Sequence, residues 1–185
     1  METELLVQAD KLVGGSDAVL VIDDTAIPKK GAHSVGVAPQ YASALGKTAN
    51  CQTLVSLTLA RSEVPIMLAL RLFLPESWTS KRARLERAGV PTEYRMARTK
   101  PEMALAEIDR VIAAGVRFGY VLADAGYGIS AARELAWAVG IPRHLKVYPA
   151  DVRMIWPVAG RGTQCLGPSS SALTSYFLTW RRVSC

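Results

Sequence analysis

The sequence predicts a mixed α/β domain built on one sheet. Residues 18–23 and 116–124 are nearly continuous runs of apolar residues, which is typical of strands buried on both faces. Between them, residues 52–60 and 65–74 are rich in branched side chains and predict an antiparallel hairpin beside the first strand. A helix is predicted from Lys100 to Gly115, with proline near its first turn, so strands and helices alternate as in α/β domains.

The other elements follow from shorter signals. Residues 1–13 have the apolar spacing of an amphipathic helix, which Gly14 and Gly15 end. Residues 79–99 are predicted to be a charged excursion from the sheet, with a helical piece at 81–88. After the second apolar strand we expect a short helix at 130–137 and an edge or bent strand at 139–147, which contains Pro142.

Composition restricts the partners and the compartment. The 185 residues carry a net charge of +6, and the basic residues concentrate in 81–100 and 143–182, which favours a polyanionic partner. For the first concentration, a solvated charged face is an equally good interpretation. The three cysteines lack the spacing of a zinc site, so we expect reduced thiols in the cytoplasm. No basic leader or long apolar run is evident, so no membrane partner is expected.

Each of the two apolar strands runs into aspartate, at Asp23 and Asp24 in the first and at Asp124 in the second. If the strands are neighbours, these carboxylates meet and can bind a hard divalent cation such as Mg²⁺. Adjacent residues of an extended segment point to opposite faces, so only one of Asp23 and Asp24 can face a shared site. The other is expected to cap the turn. The alternative is that all three aspartates only form turns.

The chain resembles the catalytic domain of DDE-type insertion-sequence transposases, the group with an RNase H-like fold. The resemblance implies an RNase H-like mixed sheet flanked by helices. It also implies an Asp-x-Thr first motif, which selects Asp23, and a second catalytic aspartate at Asp124. The matching blocks are Val-Ile-Asp-Asp-Thr-Ala-Ile-Pro-Lys-Lys-Gly at 21–31, His-Ser-Val-Gly-Val at 33–37, Gln-Tyr at 40–41, Leu-Gly-Lys at 45–47, Asn-Cys-Gln at 50–52, Leu-Pro-Glu-Ser-Trp at 74–78, Lys-Pro-Glu at 100–102 and Val-Leu-Ala-Asp-Ala-Gly-Tyr-Gly at 121–128.

The sequence departs from this family after the second aspartate. The family's third metal ligand is a glutamate well downstream, whereas Glu134 is the sole glutamate after Asp124 and falls in the next predicted helix. We expect Glu134 to be a solvated helix residue. The matching sequence stops near residue 162, so we expect a leading helix at 1–14, a partial RNase H-like catalytic domain at 15–162, and an irregular, truncated or out-of-frame tail at 163–185.

The resemblance implies metal-dependent phosphodiester cleavage and strand transfer, with Mg²⁺ or Mn²⁺ held by Asp23 and Asp124. Asp24 is a further candidate at the metal site, as a close neighbour that tunes or caps it. Because the third acidic ligand is missing, we expect this activity to be weak or absent. Double-stranded DNA at transposon ends is the expected partner, with a homodimer as a candidate assembly and the bacterial nucleoid as the location. The candidate phosphate contacts are Lys29, Lys30, Lys47, Arg143 and Lys146.

Two other hypotheses stay open. The chain could be a non-catalytic DNA-binding or interaction remnant of a transposase, in which the basic surface persists without turnover. It could also bind a dinucleotide through Gly-x-Gly-x-x-Ala from Gly126 to Ala131, although Asp124 just before it would repel a pyrophosphate. A segment that imitates the end of a P-loop, at 45–48, is expected to be a turn that enters the next strand, or a contact to a backbone phosphate.

Overall fold

The computed structural model describes residues 2–123, Tyr127 and residues 154–157. Six strands and four α-helices lie in this part of the chain, with short 3₁₀ turns at Ser43–Leu45 and Thr92–Tyr94. The strands are β1 Val19–Pro28, β2 Ala38–Ala42, β3 Lys47–Arg61, β4 Val64–Leu72, β5 Tyr120–Ala123 and β6 Met154–Pro157. The helices are α1 Glu2–Val13, α2 Glu76–Thr79, α3 Arg82–Arg87 and α4 Lys100–Ala113.

The strands form one mixed sheet in the order β2-β3-β1-β5-β6. The 15-residue β3 is long enough for one edge to pair with β1 while the other edge pairs first with β2 and then with β4. β1 and β5 are parallel, and the remaining pairs are antiparallel. The predicted mixed α/β sheet is therefore confirmed, including the hairpin of β3 and β4 beside the first strand.

The first strand is longer than the sequence predicted. It continues past Asp23 and Asp24 to Pro28, because β3 pairs with it from Val19 to Pro28. The expectation that the strand ends at the aspartates was therefore wrong. Asp24 does not cap a turn, since it lies within β1 opposite Val55 of β3. β2 was not predicted, because its five residues include Pro39 and only Ala42 among them is buried.

The main core lies between one face of the sheet and the helices α1 and α4. β1 contributes Leu20 and Ile22, which alternate along the strand as one face of a sheet requires. α1 contributes Leu6, Ala9 and Val13, β3 contributes Val55, Leu57 and Leu59, and α4 contributes Ala104, Ile108 and Val111. The opposite face of the β1–β5 pair carries a separate buried cluster of Val19, Val21 and Leu122.

The excursion predicted at 79–99 forms a small second core together with Trp78, which directly precedes it, and Val37. Trp78 on α2, Leu85 on α3 and Val90 pack with Val37, and all four are buried. The indole Nε1 of Trp78 donates to the backbone carbonyl of Val37 at 2.8 Å, so the buried polar atom is satisfied. This core joins the segment between β4 and α4 to the loop that precedes β2.

The helix predicted at 130–137, the strand predicted at 139–147 and the tail at 163–185 lie outside the described residues. β6 was not predicted from the sequence. Among the helices that the structure describes, none has both the length and the apolar composition needed to cross a bilayer.

A charged network ties α1, β4 and α4 together. The Arg71 guanidinium on β4 donates to Glu2 with two bonds of 2.8 Å and to Glu107 at 2.6 Å. Arg110 donates to the same Glu107 carboxylate at 2.8 Å. The hydrogen bonds from Arg71 lower the pKa of the Glu2 carboxyl from its usual 4.5 to about 2.

We predict that Arg71→Gln reduces the acid sensitivity of folding. Because the folded-state pKa of Glu2 is depressed, its contribution to stability is present above pH 4.5 and is lost as the pH falls towards 2. The free energy of unfolding, measured by urea denaturation between about pH 5 and about pH 2.5, should fall less in Arg71→Gln than in the wild type. Glu2→Gln should likewise reduce the fall in the free energy of unfolding over this pH range. Combining it with Arg71→Gln should reduce that fall no further. An unchanged acid dependence in both variants would contradict this assignment.

A second prediction compares two isoleucines one turn apart on α4. Ile108 is fully buried in the main core, whereas Ile112 is 40% exposed. Ile108→Ala should lower the free energy of unfolding by about 2–5 kcal/mol, and Ile112→Ala by less than about 1 kcal/mol. Both replacements remove the same atoms from the same helix, so the difference in urea denaturation reports mainly the packing of the two side chains. Equal losses would mean that α4 does not pack on the sheet through Ile108.

Candidate functional site

The candidate site begins where the described pairing of β1 and β5 ends. The register joins Val19 to Tyr120 and continues to Ile22 and Ala123. Asp23 is therefore the first residue of β1 beyond this pairing, and it is half-buried. Ser56 of β3 lies opposite Asp23, and its hydroxyl donates to the Asp23 backbone carbonyl at 3.2 Å.

The two adjacent aspartates continue different faces of β1. Val19 and Val21 belong to the smaller cluster, so the alternation of the strand places Asp23 on that face. Leu20 and Ile22 belong to the main core, so Asp24 follows the face that α4 covers. The contacts of Asp24 agree with this placement, since its partners come from α4 and from a residue of the main core.

The Asp24 carboxylate accepts a hydrogen bond at each oxygen. Lys100 Nζ donates to Oδ2 at 2.6 Å in an ion pair whose two side chains are about 30% exposed. The hydroxyl of Tyr127 donates to Oδ1. Tyr127 is 3% exposed and packs in the main core, so this hydrogen bond has little access to water.

The position of Lys100 follows from the way in which α4 begins. The Thr99 hydroxyl accepts from the Glu102 backbone N–H at 3.3 Å, and the Glu102 carboxylate accepts from the Thr99 backbone N–H at 2.6 Å. This capping box, with Pro101 in the first turn, fixes the helix start. The Lys100 ammonium also lies 5.6 Å from the centroid of the Phe73 ring.

A cavity of about 630 Å³ opens beside Asp24. Its walls combine the start of α4 with the segment that follows β4. The lining residues include Asp24, Phe73, Glu76, Thr79, Lys100 and Tyr127. A larger groove of about 730 Å³ adjoins this cavity, because Leu74 and Arg98 line both. It lies between β4, α4 and the segment after α3, and neither Asp23 nor Asp24 lines it.

Several predicted site residues fall outside the part of the chain that the structure describes. These are Asp124, Arg143, Lys146 and Glu134, together with all of the Gly-x-Gly-x-x-Ala segment except Tyr127. Ala123, which immediately precedes Asp124, pairs with Ile22, which immediately precedes Asp23. In the sequence, the two predicted metal ligands therefore directly follow the two residues of this pair.

The predicted phosphate contacts on the first half of the chain lie beyond the aspartates. Lys29 and Lys30 follow the end of β1, and Asn50 holds this turn by donating to the carbonyls of Lys29 and Gly31 at 3.0 and 2.9 Å. Lys47 is exposed and begins β3. Because a strand and not a helix follows Lys47, the P-loop alternative is excluded and the expected turn is confirmed.

Several of the basic residues at 81–100 contact other residues of this segment or of the segments beside it. Arg82 and Arg95 both bind Glu86, at 3.1 and 3.2 Å. Arg84 stacks 3.6 Å from the centroid of the Trp78 ring and donates to the Ala32 carbonyl at 2.8 Å. Together with the Lys100–Asp24 ion pair, these contacts show that several of the cations have partners within the chain.

The roles of Lys100 and Tyr127 were not predicted. Both residues belong to matching blocks, but they are 76 and 103 residues from Asp24 in the sequence. No local pattern connects residues so far apart. In residues 2–123, 127 and 154–157, no three or more His, Cys, Asp or Glu side chains are grouped to hold a metal ion.

The chain is similar to known proteins over most of its length. The family model described as DDE superfamily endonuclease matches residues 1–174. The chain belongs to this family. The catalytic domain was predicted from the motif blocks at residues 15–162. The DDE family model matches a wider range, so it does not test these domain bounds, which stay a prediction.

A relative of this DDE chain is a probable transposase for insertion sequence element IS701 from Microchaete diplosiphon. It is 32% identical over 130 residues, which cover 70% of the chain and 30% of the relative. The chain therefore spans about a third of the length of this relative. No solved structure matches the chain.

We predict a measurable coupling between Asp24 and Lys100. In a double-mutant cycle of Asp24→Asn and Lys100→Met, the coupling in the free energy of unfolding should be about 1 kcal/mol. The matched control is the ion pair of Asp17 and Arg61, which has a similar length of 2.9 Å but side chains that are 61% and 43% exposed. Its coupling should be at most about 0.5 kcal/mol, since water screens exposed pairs. Additive effects at Asp24 and Lys100 would contradict the prediction.

Proposed function

We propose that this chain carries the catalytic aspartates of a DNA transposase, which cleaves and joins phosphodiester bonds with a divalent metal. The observation that carries the proposal is the parallel register of β1 and β5, whose last described pair is Ile22 with Ala123. Asp23 and Asp124 are the next residues of these strands. Consecutive Cα atoms are about 3.8 Å apart, so chain connectivity alone keeps the two residues close to this pair.

The alternation of the strands supports Asp23 as the partner of Asp124. Ala123 belongs to the main core, as does Ile22, so the next residue of each extended strand would face the other way. That direction is the face of Val21 and Leu122. The same reasoning supports Asp23, and not Asp24, as the metal ligand. The resemblance had selected Asp23 only through the Asp-x-Thr motif.

The chemistry of the donors fits Mg²⁺ or Mn²⁺. Aspartate oxygens are hard ligands, and strand positions in a buried sheet hold them with little freedom. Asp23 and Asp124 would hold the metal, which when bound would stabilise negative charge on the phosphate and its attacking and leaving oxygens. The protein contributes the fixed position of Asp23, which the β1–β3 pairing opposite Ser56 provides.

DNA is the proposed substrate, because the chain is basic and belongs to the DDE family. Lys29, Lys30 and Lys47 are proposed to contact phosphates, with Arg143 and Lys146 as further candidates from the sequence. Lys29 follows the strand that carries Asp23, so a phosphate backbone that reaches the aspartates could also reach this turn.

We further propose that cleavage by this chain is weak or absent. A DDE site needs a third carboxylate, and Glu134 is the sole glutamate that follows Asp124 in the sequence. The alternative function, a DNA-binding remnant without turnover, shares the basic surface and differs in having no functional metal site. A homodimer stays a proposal for the assembled protein.

Calorimetric titration with Mn²⁺ tests this function. The wild-type chain should bind Mn²⁺, and Asp23→Asn should weaken the affinity by more than about tenfold, because it removes a ligand. Asp17→Asn is the matched control, since it removes the same charge from an aspartate near the start of β1, and it should leave the affinity unchanged.

Binding and nicking of duplex DNA complete the test. We expect binding that weakens steeply with salt, and nicking in Mn²⁺ that is slow or undetectable. DNA binding by a wild-type chain that does not bind Mn²⁺ would favour the non-catalytic alternative. The absence of both activities would contradict both functions.

A further inference from the structure

We propose that Asp24, Lys100 and Tyr127 form a clasp that positions the two metal-binding aspartates, so that Asp24 is a positioning residue and not a metal ligand. The inference rests on the proposed function, because it concerns how Asp23 and Asp124 are held. It assigns roles to Lys100 and Tyr127 and gives the second of the paired aspartates a purpose of its own.

The clasp joins three parts of the chain at one carboxylate. Asp24 lies on β1 directly after Asp23, Lys100 is the first residue of α4, and Tyr127 is three residues after Asp124. Lys100 and Tyr127 bind different oxygens of Asp24, so the carboxylate is held from two directions. A carboxylate fixed in this way restrains the backbone of β1 at the position of Asp23.

The clasp acts where backbone pairing stops. Among the described residues, the β1–β5 ladder ends at Ile22 and Ala123, before either proposed ligand. Tyr127 links the segment after β5 back to β1 through its hydroxyl. Three residues span at most about 11 Å, so anchoring Tyr127 to Asp24 also limits how far Asp124 can lie from Asp23.

The environment of Asp24 favours this role over metal binding. Its side chain follows the main-core face of β1, whereas Asp23 follows the opposite face. A half-buried carboxylate needs a cationic partner to offset lost hydration, and Lys100 supplies one at 2.6 Å. The capping box of Thr99 and Glu102 holds Lys100 in place, so the cation is part of the fold.

Tyr127→Phe is the decisive variant because it removes one hydroxyl and changes no charge. Mn²⁺ affinity should be measured by calorimetry for the wild type, Tyr127→Phe, Asp24→Asn and the double variant. Urea denaturation of each variant under the same conditions verifies that it is folded. Tyr94→Phe, at a tyrosine that is 58% exposed, is the matched control.

Positioning predicts that Tyr127→Phe weakens Mn²⁺ binding by about tenfold and leaves the stoichiometry unchanged. The double variant should bind no more weakly than Asp24→Asn, because both replacements break the same link. Tyr94→Phe should bind as the wild type does.

Three results would overturn the clasp. If Tyr127→Phe and Asp24→Asn bind Mn²⁺ as tightly as the wild type and lose only stability, Asp24 and Tyr127 have a purely structural role. Loss of binding in Asp24→Asn with wild-type binding in Tyr127→Phe would make Asp24 a ligand. If the wild type binds no Mn²⁺ at all, the proposed metal site is wrong and the clasp has nothing to position. The titration of the wild type alone distinguishes this outcome from the other two.

Discussion

The parallel pairing of β1 with β5 is the constraint on which the candidate site depends. The two strands are about a hundred residues apart in the sequence, and their register brings Ile22 next to Ala123. The pairing is stabilised from both sides, by the main core under Leu20 and Val121 and by the smaller cluster around Val21. Since parallel neighbours need a long crossover, β3, β4 and α4 form part of the connection that permits this contact.

The pleat of β1 gives the two consecutive aspartates different surroundings. Asp24 points with the main-core residues and meets Lys100 and Tyr127, whereas Asp23 continues the face of Val19 and Val21. One extended dipeptide can therefore serve two purposes, a restrained carboxylate on one face and a proposed metal ligand on the other. The excursion between β4 and α4 contributes by placing Phe73 and the start of α4 beside Asp24.

Local patterns predicted most of the described fold. The apolar strands, the hairpin of β3 and β4, and the start of α4 at Lys100 are properties of contiguous residues, and the structure confirms them, although β5 begins at Tyr120 and not at residue 116. The capping box of Thr99 and Glu102 was not predicted. The predicted end of β1 was wrong because the two aspartates and Pro28 masked the strand propensity of Thr25 and Ile27, and pairing with β3 extends the strand through them. The contacts of Asp24 were not predictable, since they join residues 76 and 103 positions apart. The resemblance selected Asp23 from a motif, and the alternation of β1 now provides an independent physical reason.

The most direct measurement of the central claim is a crystal structure with Mn²⁺, in which anomalous scattering locates the ion. We expect an anomalous peak bound by the carboxylates of Asp23 and Asp124, with Asp24 still held by Lys100 and Tyr127. A peak on Asp24, or carboxyl groups of Asp23 and Asp124 too far apart to share one cation, would contradict it.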